Sequence, residues 1–110
     1  MRSARVFMHG VPAGTLVEQE KAARYTFTYL PDYHGAPVSL ALPVRGEPYE
    51  FTGFPPFFEG LLPEGIMLEG LLRARKIDRG DFFSQLAAVG GDVPGAITIE
   101  EIDATLPDHV

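Results

Sequence analysis

The sequence predicts an α+β domain: a small antiparallel sheet built from strands, two helices and a closing strand, with the helices packed on one side. Three observations carry this. Residues 23–30 alternate strictly, with Tyr25, Phe27 and Tyr29 on one face and Thr26 and Thr28 on the other, the period-2 pattern of a strand with one buried face. After Pro63 the apolar spacing becomes helical, and a second helical run fills 78–89. Alternation then returns at Ala96-Ile97-Thr98-Ile99-Glu100. Strands, then helices, then a strand give helices segregated to one face of an antiparallel sheet.

In order along the chain, Ala4 to His9 reads as a strand. Gly10-Val11-Pro12-Ala13-Gly14 reads as a turn, and Thr15 to Glu18 as the return of a hairpin. A loop, Pro31 to Gly35, follows the alternating strand. Val38, Leu40, Leu42 and Val44 alternate with Ser39, Ala41 and Pro43, which predicts a strand at an edge, since Pro43 cannot donate to a ladder. Arg45 to Pro48 turns the chain, and Tyr49 to Thr52 is a further short strand. Gly53 to Phe58 is a stiff aromatic segment whose Pro55 and Pro56 keep it out of helix until it ends.

Pro63 is expected at the first helical position, where its missing N–H is no loss, with Glu64 in the first turn to suit the helix dipole. At about 100° per residue, Met67, Leu68, Leu71, Leu72 and Ala74 share an arc that should face the core, opposite Glu69, Arg73 and Lys76. Ile66 falls outside that arc, among polar residues and beside Pro63 and Gly65, so a small apolar contact surface is expected there. In the second helix Asp78 or Asp81 is the cap, and Phe82, Leu86 and Val89 should face inward. Phe82 and Phe83 cannot both do so. Gly90-Gly91 ends the helix, with one glycine expected in the left-handed conformation. Residues 1–102 read as a single domain and 103–110 as a loosely attached tail.

The 110 residues match one domain, and a chain this long removes roughly two-thirds of its unfolded surface from water. There are no cysteines, which excludes disulfides and thiolate metal sites and fits a reducing cytoplasm. No stretch approaches a membrane span or a signal sequence. Nine Lys and Arg against fifteen Asp and Glu leave a formal charge of -6, which opposes direct binding to nucleic-acid phosphates.

No catalytic constellation is visible. There is no P-loop, and the glycine-rich Gly90 to Gly95 follows a helix instead of opening one. His9, His34 and His109 are scattered and form no HxxxH or HExxH pair, so no metal site is indicated. The serines lack a GxSxG setting. Glu59 and Glu64 are a carboxylate pair of the kind any acidic chain contains. Most of Phe54, Phe57 and Phe58 is expected in the core. No cofactor is indicated, and the residues alone point to a binding protein, not an enzyme.

Phe58, Leu61-Leu62-Pro63-Glu64-Gly65, Leu72, Asp81-Phe82-Phe83, Leu86 and Gly90-Gly91-Asp92-Val93-Pro94-Gly95-Ala96-Ile97 together resemble the N-terminal subdomain of HipA-type serine/threonine kinase toxins. The resemblance spans roughly residues 4 to 100. The ATP-binding loop, catalytic aspartate and metal-binding residues of such kinases lie downstream of this subdomain, so the resemblance implies no kinase activity here. It implies instead a small HipS-like antitoxin of a HipBST toxin–antitoxin system, one that binds a HipT-like serine/threonine kinase toxin and holds it inactive. A HipB-like helix-turn-helix protein would join the complex, so that DNA is met only indirectly. The expected kinase-contacting residues are Phe58, Glu59, Pro63, Glu64, Gly65, Ile66 and Met67, with Ile66 and Met67 as apolar residues blocking the active-site cleft. The alternative is a structural and regulatory subdomain excised from a full-length HipA-type kinase. The start Met1-Arg2-Ser3-Ala4 and the stop at Val110 favour a complete product. A stand-alone enzyme or ligand binder is the third reading, disfavoured because no set of polar groups converges.

Overall fold

A computed structural model describes residues 1–93 and 95–102 of the chain. Five strands form one antiparallel sheet: β1 (Arg2–Met8), β2 (Val11–Glu20), β3 (Arg24–Tyr29), β4 (Tyr49–Thr52) and β5 (Ile97–Ile102), in the order β4-β3-β2-β1-β5. Three helices, α1 (Pro56–Glu59), α2 (Gly65–Arg75) and α3 (Phe82–Val89), lie between β4 and β5 in the chain. The architecture is the expected α+β one. The expected tail, 103–110, lies outside the described residues.

The strand register explains the core. Ala4 pairs with Leu16, Leu16 with Phe27, Val6 with Ile99 and Tyr25 with Phe51. Ala4, Val6, Leu16, Tyr25, Phe27, Tyr29 and Ile99 are buried, because every second residue points to the side the helices cover. Thr15, Thr26, Thr28 and Thr98 occupy the other face and stay half-buried. At the far edge of β1, Ser3 pairs with Ile102.

Aromatic rings carry the packing from sheet to helices. Phe27 meets Phe58 at 5.6 Å between ring centres, and Phe58 meets Phe57 edge-on at 5.1 Å. Tyr25 meets Phe54 edge-on at 5.1 Å, and Phe54 meets Phe82 at 5.6 Å. Such contacts add roughly 0.5–1.5 kcal/mol each beyond their buried area.

Several expectations are corrected. The first turn is only His9-Gly10, both at positive φ (51° and 79°), a two-residue hairpin loop. Val11 to Gly14 belong to β2, and Pro12 sits opposite Phe7 where the pairing shifts register. No strand forms over 38–44. A tight turn with a single bridge, Ser39 to Leu42, stands there. Pro37 and Pro43 remove ladder donors at either end. The backbone's needs are met instead by Tyr29, whose hydroxyl accepts from Val38 N at 2.9 Å and donates to the Leu42 carbonyl. Val38 and Leu42 are buried, so the apolar spacing is one turn apart, and Leu40 is left 95% exposed.

The aromatic segment is partly helical. Pro55 is the N-cap and Pro56 stands at the start of α1, so the proline-first rule operates there and not at Pro63. Pro63 and Glu64 precede α2: Glu64 is its extended N-cap, makes no side-chain capping bond, and leaves the first turn without an acidic residue. The helix ends on Lys76 in the left-handed conformation (φ 55°). α2 buries no residue. Leu68, Leu71 and Leu72 are half-buried, but Met67 and Ala74, expected inside, are exposed. In α3 Asp81 is the cap, accepting from Ser84 N at 3.2 Å. Phe83 and Leu86 are buried, while Phe82 and Val89 are only half-buried. Gly90 is not left-handed (φ -55°). Glycine is required for another reason: a Cβ would lie 2.1 Å from the Ile99 carbonyl oxygen, where β5 crosses the helix end.

Candidate functional site

The residues expected to meet a partner lie in one segment that the fold pushes outward. α1 ends at Glu59, and two tight hydrogen-bonded turns follow, with Leu61 N donating to Phe58 O and Leu62 N to Glu59 O, each at 3.1 Å. Pro63 and the extended Glu64 then carry the chain to Gly65, whose φ of +60° is a left-handed conformation that glycine adopts without a Cβ penalty. This is why glycine follows Glu64: it lets α2 set off at a new angle. The first turn of α2 therefore projects, with Ile66 88% and Met67 74% exposed. Scattered exposed apolar residues are ordinary, but two neighbours on one helix start form a knob.

Pro63 is half-buried, and Glu59, Glu64 and Gly65 are exposed. Phe58 stands apart from this group. At 0% exposure it is part of the core, so it supports the segment from below and presents no surface of its own.

The fold also brings together residues the sequence left separate. Gly60, Leu61, Leu62, Pro63, Glu64, Met67 and Leu71 form one wall of an open groove of about 800 Å³, and Val89, Asp92 and Val93 form the other. The stretch before α2 and the glycine-rich exit of α3 are some thirty positions apart in the chain yet share this groove. Their joint occurrence in the sequence was the signal; the period of α2, read as core-facing, pointed the other way. Pro94 lies outside the described residues.

A polar cluster sits at the opposite end of α3. Arg2 donates to Glu18 through Nε (2.7 Å) and Nη2 (2.9 Å), to Asp81 through Nη2 (2.9 Å) and to Ser84 Oγ (2.8 Å). Its guanidinium lies 4.8 Å from the Phe83 ring centre. Glu18 also accepts from Ala22 N and Tyr25 Oη, both at 3.0 Å. Burial pushes the Glu18 and Asp81 carboxyls up, but the bonds from Arg2 and their other donors outweigh it and hold both below their ordinary values. Burial, with Glu18 beside it, raises the Tyr25 hydroxyl. Every partner is satisfied, so this cluster fastens β1 and β2 to the cap of α3 and offers no free group for chemistry.

His9 and His34, read as unrelated, line a second hollow of about 570 Å³ with Arg5 and Asp32. Among the described residues no group of three or more His, Asp or Glu could hold a metal ion, and no helix is long and apolar enough to cross a membrane. His109 lies outside the described residues.

Residues 4–100 match the family model of the HipA N-terminal domain. The chain is 35% identical over 101 residues to an uncharacterized protein of Haemophilus influenzae, covering 92% of this chain and 93% of that one. It is 37% and 32% identical to Y4mE and Y4dM of Sinorhizobium fredii, both named as candidate kinases, but spans only 22% and 28% of their lengths. Among solved structures, the N-terminal domain of HipA toxin superposes with a TM-score of 0.73 at 30% identity, over 94% of this chain and 95% of that one.

Proposed function

Because the chain belongs to the HipA N-terminal domain family, we propose that it is a non-catalytic interaction protein, a HipS-like antitoxin that binds a HipT-like serine/threonine kinase and holds it inactive. The observation that carries this is the exposed pair Ile66 and Met67 at the start of α2, set on the segment Pro63-Glu64-Gly65 that the family resemblance singles out. Seated in a kinase cleft, such a knob blocks substrate or spoils the alignment that phosphoryl transfer needs. Glu64 and Glu59, both exposed, are placed to pair with basic groups at the cleft rim. A HipB-like helix-turn-helix protein completes the complex and supplies the DNA contact, which a chain of charge -6 is poorly suited to make itself. The reading places the complex in the cytoplasm, and it gives this chain no reaction and no cofactor of its own.

The test is co-expression with a HipT-like kinase from the same genome. The wild-type chain should co-purify with that kinase and suppress its phosphorylation. Ile66→Asp combined with Met67→Asp should abolish suppression while leaving thermal unfolding unchanged. Suppression that survives both changes places the inhibitory contact elsewhere, and phosphorylation by this chain alone would overturn the assignment.

The second reading, a regulatory subdomain belonging to a longer HipA-type kinase, is favoured by the matches to Y4mE and Y4dM, in which the same domain is a minor part of the chain. The similarity over 93% of the Haemophilus influenzae protein favours the stand-alone form. A separate kinase gene next to this one supports the antitoxin; an in-frame kinase continuation supports the subdomain.

A further inference from the structure

The knob has a receptive counterpart beside it. We infer that the groove between the Gly60–Glu64 segment, α2 and the exit of α3 takes up an amphipathic, lysine- or arginine-bearing segment of the partner, so that the two proteins interlock by insertion in both directions. This rests on the reading of the chain as an interaction subunit and adds the chemistry of what it accepts.

Three observations point to that occupant. First, the groove's size falls within the roughly 300–1,000 Å³ of ligand-taking clefts, and its walls are mainly aliphatic: Leu61, Leu62, Met67, Leu71, Val89 and Val93. Second, both charged residues that line it, Glu64 and Asp92, are acidic and exposed, and neither is in an ion pair among the described residues. An apolar floor with an acidic rim favours aliphatic side chains flanked by cations and disfavours an acidic segment. Third, α2 is under-packed by itself. Its 11 residues include none that is buried, whereas a helix this short draws its stability from tertiary packing. A segment laid along the groove would cover Leu71 and Met67 and supply that packing, in the manner of a helix received into an apolar groove.

The probes are two fluorescein-labelled dodecapeptides with leucines at the same helical spacing, one with lysine and the other with glutamate at the remaining positions. Fluorescence anisotropy at physiological salt measures their binding to the full chain. The lysine peptide should bind at least tenfold more tightly than the glutamate peptide. Gly60→Leu adds bulk at a groove-lining residue without altering charge, where a φ of -64° suits any side chain and a Cβ meets nothing closer than 3.4 Å; it should weaken the lysine peptide at least tenfold. Glu64→Lys with Asp92→Lys, both at exposed positions that leave the core alone, should remove or reverse the preference. Equal binding of both peptides, or no response to either variant, overturns the inference. So does a dimer of this chain that Gly60→Leu dissociates, since a second copy would then be the occupant.

The peptides and the kinase separate the two ideas. Peptide binding with no kinase bound keeps the groove and removes the antitoxin reading. A kinase released by Ile66→Asp alone, at a residue outside the groove, but indifferent to Gly60→Leu does the reverse.

Discussion

Replacing Arg2 with methionine tests how the sheet is fastened to α3. Met retains the aliphatic stem but removes the cation shared by Glu18 and Asp81. Glu18 is 4% exposed, so the loss strands a buried carboxylate that keeps only the Tyr25 hydroxyl and the Ala22 N–H. Breaking a buried pair from one side destabilises by roughly 3–5 kcal/mol. Arg2 itself is partly open to water, which argues for the lower end, about 3 kcal/mol. For a domain near 100 residues that is a fall in Tm of about 12–24 °C. The pH dependence sharpens the test. In the wild-type chain both carboxyls are held below their ordinary values of 4.5 and 3.8. Their contribution is therefore present above those values and lost as pH falls through the lower folded ones. Without Arg2, Glu18 loses the hydrogen bond that does most to hold its carboxyl down, so much of this acid-sensitive contribution is missing from the variant. The deficit should be largest at pH 7 and shrink as pH falls towards 3. Urea unfolding followed by far-UV circular dichroism at several pH values measures it. A deficit below 1 kcal/mol at pH 7, or one that does not change with pH, would refute the reasoning. Arg2→Met combined with Glu18→Leu should recover much of the loss, because an apolar pair replaces an unpaired charge.

Two further outcomes follow from the packing. Tyr29→Phe removes a hydroxyl that both accepts from Val38 N and donates to Leu42 O; it should cost about 2 kcal/mol and speed amide hydrogen exchange over residues 36–44 more than elsewhere. Gly90→Ala forces a methyl against the Ile99 carbonyl; it should cost roughly 1–3 kcal/mol, visible as a lower urea midpoint, with protection lost first between α3 and β5.

The sheet was readable because its strands announce a buried face through strict alternation, as in Tyr25, Phe27 and Tyr29. Val38, Leu40, Leu42 and Val44 show the same alternation without forming a strand, because two prolines and the Tyr29 hydroxyl satisfy the backbone as a turn. Pro56, not Pro63, opens a helix, since either proline meets the requirement of a first helical position and the sequence alone does not choose between them. α2 shows the limit of periodicity. Its aliphatic arc is present, but Met67 and Leu71 line an open groove and no residue of the helix is buried, and no single-chain pattern tells a groove wall from a core face. The exposure of Ile66 was legible, since that residue broke the arc. The Arg2 cluster was not, because it joins residues 16 and 79 positions apart.

The pairing of Ser3 with Ile102 puts the way in and the way out of the fold side by side. A longer polypeptide can thus carry this unit as a pendant on one seam, and severing that seam breaks no strand pair within it. Such a joint suits both settings in which the architecture is met, as nearly the whole of one relative and as a minor part of two longer ones.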